Sequence, residues 1–344
     1  MTLVISAATI GIMLFEGALL SAPMASVTDV LFREICEFYG GADLYLTEMI
    51  SAPALLKQGP LEEYYCDFSP CPEKTIAQLV GGRASDLVDA ARLLLSRYPK
   101  LGGIDINMGC SAPLIMKKRA GLAWMSRTEE LPDLLAELRS LTRGKSFSLK
   151  FRIGVTDDVS ALEAFLEKII TGGPDFVTFH GRTKKDKFSR NVRWDLFLKV
   201  KEACPFPVVA NGDISSLGRF SGLLREYVPF AVMLGRAAAR APWLFSELKS
   251  FLDSPGSGET PSLLRSVDFS SYAAFFTERL FSLVPEPLRQ ARIEHFTLFL
   301  APHLFWGNHL LNRVRSSRTP EEASGFLSDY FVRHPEEKIK MWSF

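Results

Sequence analysis

Short apolar runs recur along the chain, separated by stretches with helical apolar spacing. The runs that predict strands are "GALLSAPM" (17–24), "DLYLTEM" (43–49), "TIAQLVG" (75–81) and "GIDINMG" (103–109). Four more follow, "SFSLKFRIG" (146–154), "DFVTFHG" (175–181), "FPVVANGD" (206–213) and "FAVMLGR" (230–236). Between most of them lie amphipathic segments such as "SDLVDAARLLLSRY" and "VSALEAFLEKIITGG", apolar on one helical face. Eight strand–helix units over roughly 240 residues predict an α/β fold, a (β/α)8 TIM barrel. A doubly wound open sheet fits less well, because it carries a Gly-rich first turn that is missing here.

The pattern breaks at "LDSPGSGETPS" (252–262), a Gly, Ser and Pro-rich linker. Beyond it, "YAAFFTERLFSLV" and "EHFTLFLAPHLFWGNHLLNRV" keep helical spacing. The expected organisation is therefore an apolar extension over 1–16, a barrel over 17–251, the linker, and a small all-helical domain over 263–344.

Composition adds mainly exclusions. Hydrophobic residues make up 47% and charged residues 23%, as in ordinary globular proteins, and the net charge of +1 gives no global attraction to nucleic acid. Any such binding needs a local patch. Five cysteines, an odd number without a framework, point to a reducing compartment and a cytoplasmic location. Cys66 and Cys71 have no second Cys or His pair nearby, so no metal site is expected. The opening "MTLVISAATIGIMLF" is apolar, but no basic residue precedes it and it is too short to span a bilayer. Neither a signal peptide nor membrane association is expected.

In a barrel of this kind the chemistry gathers at the C-terminal strand ends. The predicted strands end on Met24, Glu48, Gln78, Asn107 with Cys110, Lys150 with Arg152, His180, Asn211 with Asp213, and Gly235 with Arg236. Their shared register predicts a polar ligand across the barrel mouth. "ANGDI" and "LGRAA" place small residues where backbone N–H groups can approach a phosphate, and Arg236 can add charge-assisted bonds. Lys150 and Arg152 alternate to one strand face and supply positive charge, while Gln78 and Asn107 offer amide groups suited to a heterocycle edge.

The ordered motifs "SAPMASVTD", "IAQLVGG", "DINMGC", "LKFRIG", "TFHGRT", "VVANGDI" and "LGRAAARAPWLF" resemble those of tRNA-dihydrouridine synthases over most of residues 19–245. The resemblance implies bound FMN, NADPH as reductant and uridine in tRNA as substrate. It implies no protein partner. By this resemblance Cys110 is the general acid that protonates uracil C5 while reduced flavin delivers hydride to C6. Pro23, Met24 and Ala25 would line the flavin ring, with Gln78 and Lys150 at its polar edge. His180, Asn211, Gly212, Asp213, Gly235 and Arg236 would contact the ribityl chain and phosphate, and Asn107 and Arg152 would face the uracil. A thiol suits the acid role, since with a reference pKa of about 8.5 it is mostly protonated at neutral pH.

Three positions depart from the family. Ser26 stands where glycine is common, Ser111 follows the cysteine in place of proline, and Arg119 replaces the first glycine of "GAG". The helical tail is not basic overall. The loop "RTKKDKFSRNVR" (182–193) and Lys117, Lys118 and Arg119 put positive charge on the rim that carries the cysteine, with Lys184, Lys185 and Lys187 expected to meet tRNA phosphates. Other readings of the same motifs are an FMN-dependent barrel oxidoreductase of dihydroorotate or enoate type, or a catalytically silent tRNA-binding relative.

Overall fold

The computed structural model describes residues 14–186, 190–253 and 264–344. Most of the N-terminal extension, most of the linker and Lys187 lie outside the described residues.

The barrel strands are β1 (Leu19–Ser21), β2 (Leu44–Leu46), β3 (Thr75–Val80), β4 (Gly103–Met108), β5 (Ser146–Gly154), β6 (Phe176–Thr183), β7 (Val208–Asn211) and β8 (Ala231–Leu234). All pair in parallel, and β8 returns to β1, so the sheet closes on itself. A two-residue bridge, Ile50–Ser51, adds to the edge of β3. The predicted strands match these eight, although β1 and β2 keep only three residues each.

Alternation explains how β5 serves two purposes. Phe147, Leu149, Phe151 and Ile153 are buried, and the half-buried Lys150 and Arg152 lie between them on the other face. Helices fill the outer layer. Ala84–Arg97 and Leu131–Leu141 bury Leu87, Leu94, Leu135 and Leu138, the positions that share one helical stripe.

The tail is helical, with long helices at Phe269–Leu283, Glu286–Leu300, Gly307–Ser316 and Pro320–Arg333. It also contains what its spacing did not predict, an antiparallel ribbon of β9 (Leu264–Asp268) and β10 (Ile339–Ser343). The ribbon places Trp342 edge-on to Trp243 at 5.7 Å, and Trp243 also meets Tyr39 and Tyr272. Two ion pairs join tail to barrel at the surface, Arg279 to Glu34 and Arg265 to Glu247. A third is buried. Arg292 reaches Asp29 and Glu48, each at 2.8 Å, and its side chain is only 3% exposed.

Candidate active site

A cavity of about 530 Å³ opens at the C-terminal ends of the strands. Its wall includes Pro23 and Met24 from the β1 loop, Lys150 and Arg152 from β5, His180 from β6, Asn211 to Asp213 after β7, and Gly235 and Arg236 after β8. Register explains the convergence: Arg152 stands opposite His180 and His180 opposite Asn211 on adjacent strands. The tail closes one side with Pro302, His303 and Trp342 to Phe344.

The lining is strongly cationic, with Lys150, Arg152, Arg182, Arg190, Arg219, Arg236 and Arg240 against the single carboxylate of Asp213. The Lys150 ammonium has no hydrogen-bond or ion-pair partner among the described residues. Burial and the neighbouring Arg152 push it down to about 8, against the pull of Asp105 and Cys110. Burial, followed by the surrounding cations, pushes His180 well below its usual range, so its ring is neutral at pH 7. Its Nε2 faces the Arg182 guanidinium at 3.2 Å and accepts from that donor-only group. The other nitrogen, Nδ1, therefore carries the proton.

Two left-handed residues shape the floor beside His180. Gly212 has φ +121°, and a Cβ there would lie 2.7 Å from Val192 and 2.8 Å from the His180 ring. Asp213 follows at φ +51°. Consecutive turned backbone units of this kind present N–H groups to an anion. The Asp213 side chain binds the Arg182 guanidinium and lies 3.4 Å from Arg236, and it accepts from Val192 N, so its carboxylate holds two cations of the lining in place. Arg182, 2% exposed, belongs to the site though its motif alone did not assign it a role. Period-2 alternation from His180 was the available signal.

Cys110, half-buried, stands at the start of the loop after β4, outside the lining itself but within electrostatic reach of its Lys150 and Arg152. The other four cysteines are buried free thiols. Asn107 Oδ1 accepts from Cys110 N at 2.8 Å and from Gly109 N at 3.2 Å. Leu122 N donates to the Cys110 carbonyl at 2.9 Å, and Gly121 at φ +60° lets that approach occur. The proline two residues late, Pro113, takes the first position of the helix Pro113–Lys117, where its missing N–H costs nothing.

Not every expected residue faces the cavity. Gln78 is fully buried beneath it, with its amide committed to Asp105 and Asn107. Ala25 is exposed beyond the lining. Lys184 and Lys185 stand on the rim, outside the cavity, with Lys184 N bonded to the Gly154 carbonyl. No cluster of three metal-ligating side chains occurs among the described residues, and no helix there is long and apolar enough to cross a membrane.

Sequence comparison decides what kind of protein carries this site. The dihydrouridine synthase family matches residues 20–307. The chain belongs to that family. It is 31% identical over 248 residues to a probable tRNA-dihydrouridine synthase of Rickettsia prowazekii, covering 72% of this chain and 75% of that protein. It is 30% identical over 238 residues to tRNA-dihydrouridine synthase B of Escherichia coli K12, covering 69% and 73%. Among solved structures, the 6-hydroxypseudooxynicotine amine oxidase of Pseudomonas geniculata superposes with a TM-score of 0.51 at 12% identity, over 68% of this chain and 47% of that one. This last likeness concerns the fold alone.

Proposed function

We propose that this family member reduces uridine in tRNA to 5,6-dihydrouridine, with FMN held at the barrel mouth and NADPH as the electron source. The observation that carries the reading is the half-buried Cys110 within electrostatic reach of Lys150 and Arg152, two of the seven Lys and Arg residues that line the cavity. The residues fit the cofactor. The Gly212 cradle, the N–H groups around Asp213 and Gly235, and the Arg236 guanidinium suit its phosphate. Lys150, without a hydrogen-bond or ion-pair partner among the described residues, suits an anionic ring edge, and Pro23 and Met24 offer an apolar wall.

When bound and reduced, the flavin supplies the hydride that reaches C6 of uracil. The chain supplies the proton. Cys110 passes the thiol hydrogen to C5 as negative charge develops on the pyrimidine, and solvent restores it through the open side of the cavity. Arg152 lies within electrostatic reach of the cysteine sulfur and stabilises charge that appears on the base or the thiolate. A uridine within folded tRNA must leave its stack to enter, and Lys117, Lys118, Lys184 and Lys185 on the rim hold the flanking phosphates.

The test is direct. Purified protein should be yellow and should form dihydrouridine in unmodified tRNA with NADPH, read by nucleoside mass spectrometry. Cys110→Ala should keep the colour and lose the product. A colourless protein, or product formation that survives Cys110→Ala, overturns the assignment.

A further inference from the structure

Below the cavity lies a carboxyl group that the proposed reaction leaves without a role. Asp105 on β4 is fully buried, and both of its oxygens are engaged. Ser148 Oγ donates to Oδ1 at 2.6 Å, and Gln78 Nε2 donates to Oδ2 at 2.7 Å. Gln78 Oε1 then accepts from Asn107 Nδ2 at 2.8 Å, and Asn107 Oδ1 accepts from the backbone N–H of Cys110 at 2.8 Å. Register makes this chain possible, because Gln78, Asp105 and Ser148 stand opposite one another on β3, β4 and β5.

Burial pushes the Asp105 carboxyl up to about 7, and its hydrogen bonds from Ser148 and Gln78 oppose that rise. The polarity of the chain is set at the Cys110 end, where a backbone N–H can only donate, and Asp105 Oδ2 closes it as an acceptor. Between them, the Gln78 and Asn107 amides have one arrangement that satisfies every bond. Turning either amide over would set N–H against N–H, or oxygen against oxygen, among buried side chains. We propose that Asp105 is a positioning residue for Cys110, acting through Gln78 and Asn107 to fix the backbone from which the thiol reaches the substrate. The relay ties one buried carboxyl group to the orientation of a loop that otherwise rests on Leu122 N and Gly121. It also gives Gln78 a task within the protein.

This inference rests on the proposed reaction only in taking Cys110 as the acid, and its test has a readout that needs no reaction. Cys110 is the one half-exposed cysteine among five, so iodoacetamide labelling at its peptide reports the loop directly. Asp105→Val removes both acceptors. Asp105→Asn keeps an acceptor for Gln78 and turns its NH2 toward the Ser148 oxygen. The expected result is labelling faster by about fivefold or more in Asp105→Val, from a loop released to fluctuate, and within about twofold of wild type in Asp105→Asn. On tRNA, kcat should fall at least about tenfold in Asp105→Val with KM and flavin content little changed, and Asp105→Asn should restore most of it. Should Asp105→Val fail to fold, Ser148→Ala, which removes one bond to Asp105, should still raise labelling by about twofold. Wild-type labelling rates in a folded Asp105→Val, or in Ser148→Ala if that variant alone folds, would overturn the relay. Absence of dihydrouridine from the wild-type enzyme would instead overturn the reaction and leave the labelling result to stand on its own.

Discussion

The buried contact between tail and barrel gives the sharpest prediction. Replacing Arg292 by Leu keeps the apolar volume of its stem and removes the guanidinium that faces Asp29 and Glu48 at 2.8 Å each. Removing one partner of a buried ion pair costs about 3–5 kcal/mol, most of it from the charge left behind. Here two carboxylates are left, but neither is bare. Asp29 keeps the Tyr64 hydroxyl at 2.6 Å and Phe32 N at 2.9 Å, and Glu48 keeps a bond from the Ser26 N–H. The lower end, about 3 kcal/mol at pH 8, is therefore the expected loss.

The loss should depend on pH in a defined direction. Burial pushes Glu48 up to about 7, against the pull of Arg292. A carboxyl raised in this way holds its proton better folded than unfolded. Its contribution to stability is complete at pH below the ordinary carboxylate range and disappears as pH rises through about 7. Without Arg292 the group moves higher still, so at pH 6 it is neutral and its share of the stranded charge is gone. The destabilisation should shrink by at least about 1 kcal/mol between pH 8 and pH 6, since one pKa unit is worth about 1.4 kcal/mol. Urea midpoints followed by tryptophan fluorescence at the two pH values measure both quantities. A loss below about 1 kcal/mol at pH 8, or an equal loss at both, refutes the argument.

Three further outcomes follow from the cavity and its rim. Gly212→Ala should lower flavin per protein by about tenfold, because the new methyl lies 2.8 Å from the His180 ring and φ is +121°; full flavin content in that variant would contradict the cradle. Arg119→Gly and Ser26→Gly should leave stability equal or raise it by up to about 1 kcal/mol, since both residues hold left-handed backbone at φ +56° and +62°. A loss in thermal denaturation would show that one of those side chains has an anchoring role. Lys184→Ala combined with Lys185→Ala should weaken tRNA binding and reduce the slope of log K against log salt by about 1 to 2. An unchanged slope would remove the β6 loop from the interface.

The barrel was legible in the sequence because its signal is local. Each strand is a short apolar run, each helix an apolar stripe, and both repeat at fixed alternation. Much of the cavity was legible for the same reason: Lys150, Arg152, His180 and Asn211 end strands, and strand ends meet in a barrel. What the sequence concealed depends on partners far apart in the chain. Arg292 lies in a helix that reads as an ordinary amphipathic segment, and only the fold brings Asp29 and Glu48 to it. The β9–β10 ribbon joins segments about seventy residues apart, each five residues long and without a turn to announce the pairing. Asp213 shows a subtler limit. Its motif sits in the cavity lining, but what its side chain touches depends on Arg182 and Arg236, which already engage its oxygens.

The departures from the family pattern acquire a common physical meaning. Ser26 and Arg119 stand where glycine is usual in the resembling sequences, and both have positive φ, so the loops keep a glycine-type path without glycine. Holding an L-residue there costs about 1 kcal/mol, which surrounding contacts must offset. At Ser26 the offset is visible, because its N–H donates to Glu48, the carboxyl that Arg292 also grips. At Arg119 the carbonyl accepts from Arg127, whose guanidinium also binds the Gly82 carbonyl and stacks on Trp124 at 4.1 Å. One strained turn borders the cavity wall at Met24, and the other follows the loop that carries Cys110. The Met24 side and the Cys110 side of the site are thus each braced from behind, one by an arginine of the tail and one by an arginine of the barrel. A loop held by such a brace is set by residues outside the cavity, and neither Ser26 nor Arg119 belongs to its lining.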